Sequence, residues 1–421
     1  MQKLGNRGVR LVAVSACPAD AGGLVTLLSG YHARQHGFLT QTRGQVGCAG
    51  WAAQLPEHGY HVAGVGAVGM VEPWLSDATL VESVDKVEAI RCSYLAAAEG
   101  RGQKAALQQQ RRQRLRSGPF EPDRLLIEPD EDIDGYIMEQ ARQKLHELPT
   151  DRPWVLLVIL TGPANDLPPP PLYDGIVDRR SLEAGYIPAN MKTLDDMGEL
   201  DYPRSLLQRM EPSTLARIRS DYLGRVSMID YGLGRLMAEV ENRADRGRTW
   251  FVVASDRGQM LGEQGIVGHR AFLAGAIEVP VLIAPGDPAL HRKATDDTMH
   301  LVDGQYNTVD VAATIAALTG SDLPEACVGR SLLPTLSGNS ALPVPAGGNL
   351  SEFGHRLMLE TERYKVIFDV QAHRALGLFD LLNDPDEMEN LVETAVGRNL
   401  VDAMRWRIGE ALMAVRSHPY M

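Results

Sequence analysis

Between residues 215 and 240 the chain carries its strictest pattern. Leu215, Ile218, Tyr222, Val226, Ile229, Leu233, Leu236 and Val240 recur at steps of three and four, which places one apolar stripe along a long helix. Uninterrupted apolar runs flank it in sequence: Trp154 to Leu160 before, Phe251 to Ala254 and Val279 to Ala284 after. Runs of leucine and β-branched residues without alternation mark strands covered on both faces. A long helix between such strands predicts an α/β fold, with a doubly wound, mostly parallel central sheet flanked by helices. Ser213, after Pro212, is the expected N-cap of the long helix. Val9 to Ser15 and His61 to Val65 read as further strands, and Leu24 to Ser29 as the start of a helix closed by Gly30.

Three stretches punctuate this rhythm. Residues 101–116 hold Arg101, Lys104, Arg111, Arg112, Arg114 and Arg116 with no acid, which reads as a solvated helix or loop. Pro168 to Pro171 is an extended run that neither a helix nor a central strand accepts. Pro343 to Gly348 reads as a linker, followed by the extended segment Tyr364 to Phe368 and a terminal helix from about Arg398. The expected division is a main α/β domain over 1–342, with a variable insertion at 101–150, and a small C-terminal subdomain over 349–421.

Charge and cysteine usage exclude several classes. Forty-two Lys and Arg against 54 Asp and Glu give a net charge of −12, the opposite of a nucleic-acid footprint and unsuited to anionic membranes. The longest apolar run, Trp154 to Leu160, falls far short of the roughly 18–20 residues of a membrane span. Cys17, Cys48, Cys92 and Cys327 show no metal-type spacing and fit a reducing compartment. Lys3, Arg7 and Arg10 before Leu11 to Val14 and Ser15-Ala16-Cys17 imitate a lipoprotein leader. The apolar part is too short for one, so the segment reads as a strand and the protein as cytoplasmic. Gly64-Val65-Gly66-Ala67-Val68-Gly69 satisfies a dinucleotide-binding GxGxxG. Pro73, four residues on, interrupts the helix that motif needs, and a glycine-lined turn after a strand is the plainer reading.

A set of motifs in fixed order spans nearly the whole chain. Ser29-Gly30-Tyr31-His32-Ala33-Arg34-Gln35-His36-Gly37 resembles the T-G-x-x-P-x-x-H-G that follows the nucleophile of sulfatases. Gly59 to Gly66 is similar to their G-Y-x-T-x-x-x-G strand, and Val253 to Glu263 to their T-S-D-H-G-x-x-L-G-E, with Gly268-His269 where they carry G-K. Val279-Pro280-Val281, Val309-Asp310-Val311, Gly329-Arg330-Ser331-Leu332, Arg363-Tyr364-Lys365, Leu378 to Pro385 and Glu389-Asn390-Leu391 follow in family order. The chain thus resembles the sulfatase family of the alkaline-phosphatase-like superfamily, relatives of which hydrolyse phosphate or phosphonate monoesters.

That resemblance implies three requirements: a divalent cation on oxygen ligands, a nucleophile made from Cys or Ser in C/S-x-P-x-R, and Lys and His side chains for the oxyanion and leaving group. The nucleophile position falls on Asp20, and the arginine that orients it on Leu24; Cys17 lies three residues early. The Lys and His after the G-Y strand fall on Ala67 and Gly69, the substrate His on Ala164, and the later catalytic Lys on His269. His32 and His36 read as structural. Asp256 matches a metal ligand, but its neighbour, a His or Asn in the family, is Arg257, which has no lone pair to give. The family's opening strand, with its paired metal-binding aspartates, would precede residue 1. Arg257 is therefore expected to replace the metal by bridging Asp20 and Asp256.

The resulting expectation is a sulfatase-fold protein with lost or strongly impaired ester hydrolysis and no cofactor. It would act as a structural or regulatory partner or bind a small anionic ligand. A homo-oligomer, or a complex with an intact paralogue, would supply cover for the sheet. The alternatives are an active hydrolase of sulfate, phosphate or phosphonate monoesters using Asp20, Asp256 and His269 with calcium, manganese or zinc, and a dinucleotide-binding protein through residues 64–69.

Overall fold

A computed structural model describes residues 1–39, 50–67, 77–80, 93–120, 124–163, 168–182, 201–202, 210–287, 302, 304–323, 326–336 and 347–415. Strand β1 (Val9–Val14) leads into helix α1 (Asp20–Ser29), which starts four residues before the Leu24 expected from sequence. Gly30 closes α1 in the left-handed conformation, φ 77°, where a side chain would be strained. Then come β2 (His61–Gly66), β3 (Asp77–Leu80), α2 (Lys104–Ser117), α3 (Ile133–Glu147) and β4 (Trp154–Ile159). The long helix α4 (Pro212–Glu241) precedes β5 (Trp250–Ala254), β6 (Glu278–Pro285), β7 (Tyr306–Asn307) and α5 (Thr308–Thr319). The C-terminal part holds β8 (Asn349–Phe353), β9 (Arg356–Glu360), β10 (Tyr364–Asp369), β11 (Arg374–Asp380) and α6 (Ala395–Ala414).

Helix α4 buries Leu215, Ile218, Leu233, Leu236 and Val240, the stripe read from the sequence. Its N-cap is Glu211, not Ser213: Pro212 is the first helical residue, where its fixed φ and missing N–H cost nothing. The basic stretch is the largely exposed helix α2, as its charge demands.

Among the described residues the strands of the α/β part form two principal sheets. One has the order β5-β6-β1-β7 and the other β3-β2-β4. The second sheet is parallel, and β1 is parallel to β7, but β6 runs antiparallel to both β1 and β5. Gly66 lets β2 approach β4: a Cβ there would meet the Ile159 carbonyl oxygen at 2.0 Å. That glycine answers to strand packing, and Gly64 and Gly66 both lie within β2. Gly69 of the same motif lies outside the described residues.

Helices α3 and α4 cover one side of β4 and β5. Ile137, Ala141, Leu145, Leu236 and Val240 pack with Trp154, Leu156, Val158, Leu160 and Phe251. Helices α1 and α5 cover the other, with Leu28, Ala312 and Ala316 against Val155, Leu157 and Ile159, and Val311 with Leu27 and Ile315 near Val252 and Ala254. The C-terminal sheet β8-β9-β10-β11 is antiparallel throughout, with α6 packed on it through Val401, Met404, Ile408 and Ala411. No helix of the described residues is long and apolar enough to cross a membrane.

One buried ion cluster ties these layers. Arg225 of α4, fully enclosed, meets Asp132 Oδ1 at 2.9 Å and Asp134 Oδ2 at 2.5 Å. The Thr161 and Gly162 amides donate to Asp134 Oδ1 at 2.8 and 3.2 Å, so the same carboxylate fixes the loop leaving β4. Removing the cation would strand two buried carboxylates. Arg225→Ala is expected to destabilise the protein by about 3–5 kcal/mol in urea unfolding, with Arg225→Lys recovering only part because one ammonium cannot reproduce the fork.

Candidate functional site

The sequence-matched residues gather where β1 and β5 end. Ser15, directly after β1, directs its hydroxyl as donor to the Asp256 carbonyl at 2.6 Å, with the Cys17 carbonyl a second acceptor at 3.1 Å. Helix α1 closes in on the same loop. A Cβ at Gly23 would meet the Asp256 carbonyl oxygen at 2.8 Å and the Cys17 carbonyl at 2.9 Å. Only a glycine lets the first turn of α1 approach so closely. The C-terminal subdomain joins here too, since the Glu352 amide of β8 donates to the Ala16 carbonyl at 2.9 Å. Arg34, after α1, forms an ion pair with the enclosed Glu352.

Asp256 and Arg257 follow β5. Arg257 Nη1 donates to Asp256 Oδ2 at 2.7 Å, each side chain 22% exposed. The Ser255 hydroxyl donates to the Arg257 carbonyl at 2.6 Å and so fixes the turn that holds the pair. The Arg257–Asp256 ion pair is formed, and the expected bridge onward to Asp20 falls on a side chain outside the described residues. Asp20 is the first residue of α1, beside this loop in the fold, and its side chain lies outside the described residues.

Cys17 is enclosed by Val14, Ala33, Phe272, Phe353 and Phe379. Burial pushes its thiol up to about 12, and the neighbouring carboxylates Glu352 and Asp256 act in the same direction. A thiol held neutral is no nucleophile. Leu24, at the position of the family's arginine, packs with Leu28, Trp51 and Val62 in an apolar cluster. Ala67 follows β2 with no charged atom to offer, and Ala164 and Gly69 lie outside the described residues.

His269 goes to a different acid. Its amide donates to Asp201 Oδ2 at 2.7 Å, its Nδ1 stands 3.4 Å from the same oxygen, and Arg270 Nε stands 3.1 Å from Asp201 Oδ1. Asp201 was not singled out from the sequence; 68 residues separate it from His269, and no local pattern announces the pairing. His32 and His36 are structural, as read. The Phe38 amide donates to His36 Nδ1 at 3.2 Å, which leaves Nε2 to donate to Thr26 Oγ1 at 3.0 Å. Burial lowers His36 to about 3 and His32 to about 4, so both rings are neutral at physiological pH.

The family's chemistry needs a divalent cation, and the described donors do not fit one. A guanidinium already occupies Asp256 Oδ2, and residue 257 brings a positive charge where a ligand would stand. Among the described residues no group of three or more His, Cys, Asp and Glu side chains is arranged to hold an ion.

With fold and site in view, comparison places the chain plainly: it belongs to the sulfatase family, whose model, Sulfatase, matches residues 2–321. It is 28% identical over 292 residues to a choline-sulfatase of Rhizobium meliloti, covering 63% of this chain and 52% of that one. It is 26% identical over 245 residues to the multifunctional alkaline phosphatase superfamily protein PehA of Trinickia caryophylli, covering 50% of this chain and 45% of that one. The chain thus spans about half the length of the curated relatives it matches. Its fold superposes on the phosphonate monoester hydrolase of Silicibacter pomeroyi with a TM-score of 0.78, at 16% identity, over 99% of this chain and 90% of that one. The phosphonate monoester hydrolase of Agrobacterium radiobacter gives 0.77 at 18% identity, over 97% and 90%.

Two measurements follow from this geometry. Cys17 should stay unreactive toward a thiol reagent in the folded protein and react only on unfolding, as read by mass spectrometry of the labelled peptide. His36 has a folded value of about 3 against an ordinary 6.5, so the unfolded chain binds the extra proton. Stability contributed by the neutral ring is full above pH 6.5 and is lost as pH falls toward 3. Urea midpoints should therefore drop between pH 7 and 5, and His36→Gln should flatten that slope.

Proposed function

We propose that this sulfatase-family chain has lost, or retains only vestigially, the hydrolysis of sulfate, phosphate and phosphonate monoesters, and serves as a binding partner or small-anion receptor. The observation that carries this reading is the Arg257 guanidinium on Asp256 at 2.7 Å. A fixed monocation beside the one matched metal ligand repels a dication, and it neutralises the carboxylate without polarising an ester oxygen as a metal would. The neighbouring positions support the same conclusion: a neutral, buried thiol at Cys17 and an apolar side chain at Leu24.

A positive group beside Asp256 still suits a small anionic ligand, because guanidinium and oxyanions form charge-assisted hydrogen bonds. The binding partner in this reading is a second copy or an intact paralogue. The unpaired thiols of Cys17 and Cys327 support the reading of a reducing, cytoplasmic environment.

The test is direct. Purified protein should show no turnover of aryl sulfate, phosphate or phosphonate monoesters with added calcium, manganese or zinc, and should hold no stoichiometric metal by elemental analysis. Turnover that Asp256→Ala abolishes would establish a working hydrolase and overturn the proposal. Arg257→Asn is the companion variant: if the guanidinium is what excludes the ion, calorimetry should detect calcium or manganese binding in the variant and none in the parent.

A further inference from the structure

Helix α6 packs one face on the C-terminal sheet, through Val401, Met404, Ile408 and Ala411, and leaves the opposite face open. That open face carries Trp406, 67% exposed, and Met413, 78% exposed. The two are one heptad apart and so lie on one line of the helix. Trp406 is the most exposed of the described tryptophans, and the helix meets its sheet without it. A single exposed apolar side chain is ordinary. Two large ones aligned along an exposed helix mark a contact surface, and tryptophan is the residue most enriched at the energetic centre of such surfaces.

The neighbours of Trp406 give this face its shape and charge. Positions three and four away on either side are Asp402, Ala403, Gly409 and Glu410, and these surround the indole on the helix surface. Two of them are small, so the indole stands beside shallow ground. A Cβ added at Gly409 would meet nothing within 4 Å, so that ground is open to solvent. The charges differ in what they hold. Arg405 is committed within the subdomain: its Nη1 meets Asp402 Oδ1 at 3.1 Å, and its guanidinium lies 5.5 Å from the centre of the Phe368 ring. Arg407 and Glu410 are both exposed, lie on one flank of the helix, and form no ion pair among the described residues.

A face that sets a large side chain beside a small one, and a cation beside an anion, complements itself when turned over. We infer that α6 pairs with α6 of a second copy of this chain, antiparallel about a two-fold axis between residues 407 and 408. In that register Trp406 lies over Gly409 of the second copy, and Met413 lies over its Ala403. Because Arg407 and Glu410 share a flank, the axis sets Arg407 of each copy beside Glu410 of the other. Every contact is made twice, as an isologous interface requires. The glycine lets the helix axes approach to about 8 Å, the close end of the range for packed helices. A 20-residue helix is about 30 Å long, and one face of it buries less than the roughly 800 Å² per partner of a standard interface. The dimer is therefore weak, with a dissociation constant on the order of 10–100 µM. The inference rests on the partner role proposed above in its homo-oligomeric form. Turnover and metal content test the rest of that reading, so a strictly monomeric chain would remove the dimer and leave the loss of hydrolysis standing.

The experiment is sedimentation equilibrium of the full chain from about 1 to about 200 µM. The weight-average mass should climb from the 46.0 kDa of one chain toward twice that value. Trp406→Ala removes a side chain that packs on nothing in its own subdomain, so it should leave the circular dichroism unchanged and raise the dissociation constant at least about ten-fold. Arg407→Glu and Glu410→Arg each set like charges together twice and should each weaken the dimer. The double variant R407E/E410R exchanges the signs and should restore it. This charge pair carries the test if Trp406→Ala does not fold. A monomer at every concentration, a dimer indifferent to Trp406→Ala and to both charge reversals, or a double variant no tighter than the single ones would each overturn the inference.

Discussion

Helices α3 and α4 on one side and α1 and α5 on the other hold β4 and β5 in a common sandwich, and everything else in the α/β part is positioned by that clamp. The apolar stripe of α4 fixes its height over the strands. The enclosed Arg225 fixes its rotation, because the guanidinium must reach Asp132 and Asp134 together. Asp134 in turn accepts the amides after β4, so the ends of the strands inherit their position from the same cluster. A buried charge is costly unless fully paired, and that cost makes the arrangement specific.

The candidate site sits where this frame meets the C-terminal subdomain. Its loops are held mainly by main-chain bonds: Ser15 to the Asp256 carbonyl, Glu352 to the Ala16 carbonyl, and the glycine contact of α1 at residue 23. The fold thus keeps the loops after β1 and β5 together through contacts that do not depend on which side chains they carry. Main-chain bonds tolerate substitution of the residues that make them, whereas catalysis depends on particular atoms. Fold and reaction are therefore separable.

Much of the fold was legible because its signals are local. The 3.6-residue stripe of α4, the continuous apolar strands and Gly30 as a terminator each need only a short window of sequence, and each appears as read. Ser213 failed as an N-cap because Pro212, one residue earlier, is itself suited to the first helical turn. The reversal of β6 was not legible, since a strand buried on both faces looks alike in either direction. At the site, Arg257 beside Asp256 could be read from adjacency, and the pair is formed. The hold of Asp201 on His269 could not, because that contact spans 68 residues with no periodicity to betray it.

The sequence by itself determined the class of layers, the family motifs and the charge that residue 257 brings to the site, because these depend on side-chain type and local spacing. Only the tertiary structure decided which strands bond to one another, among them the antiparallel pairing of β6 with both β1 and β5. Main-chain donors and acceptors are the same at every residue except proline, so their pairing leaves no mark in composition or pattern. It exists only once the helices have set where each strand lies.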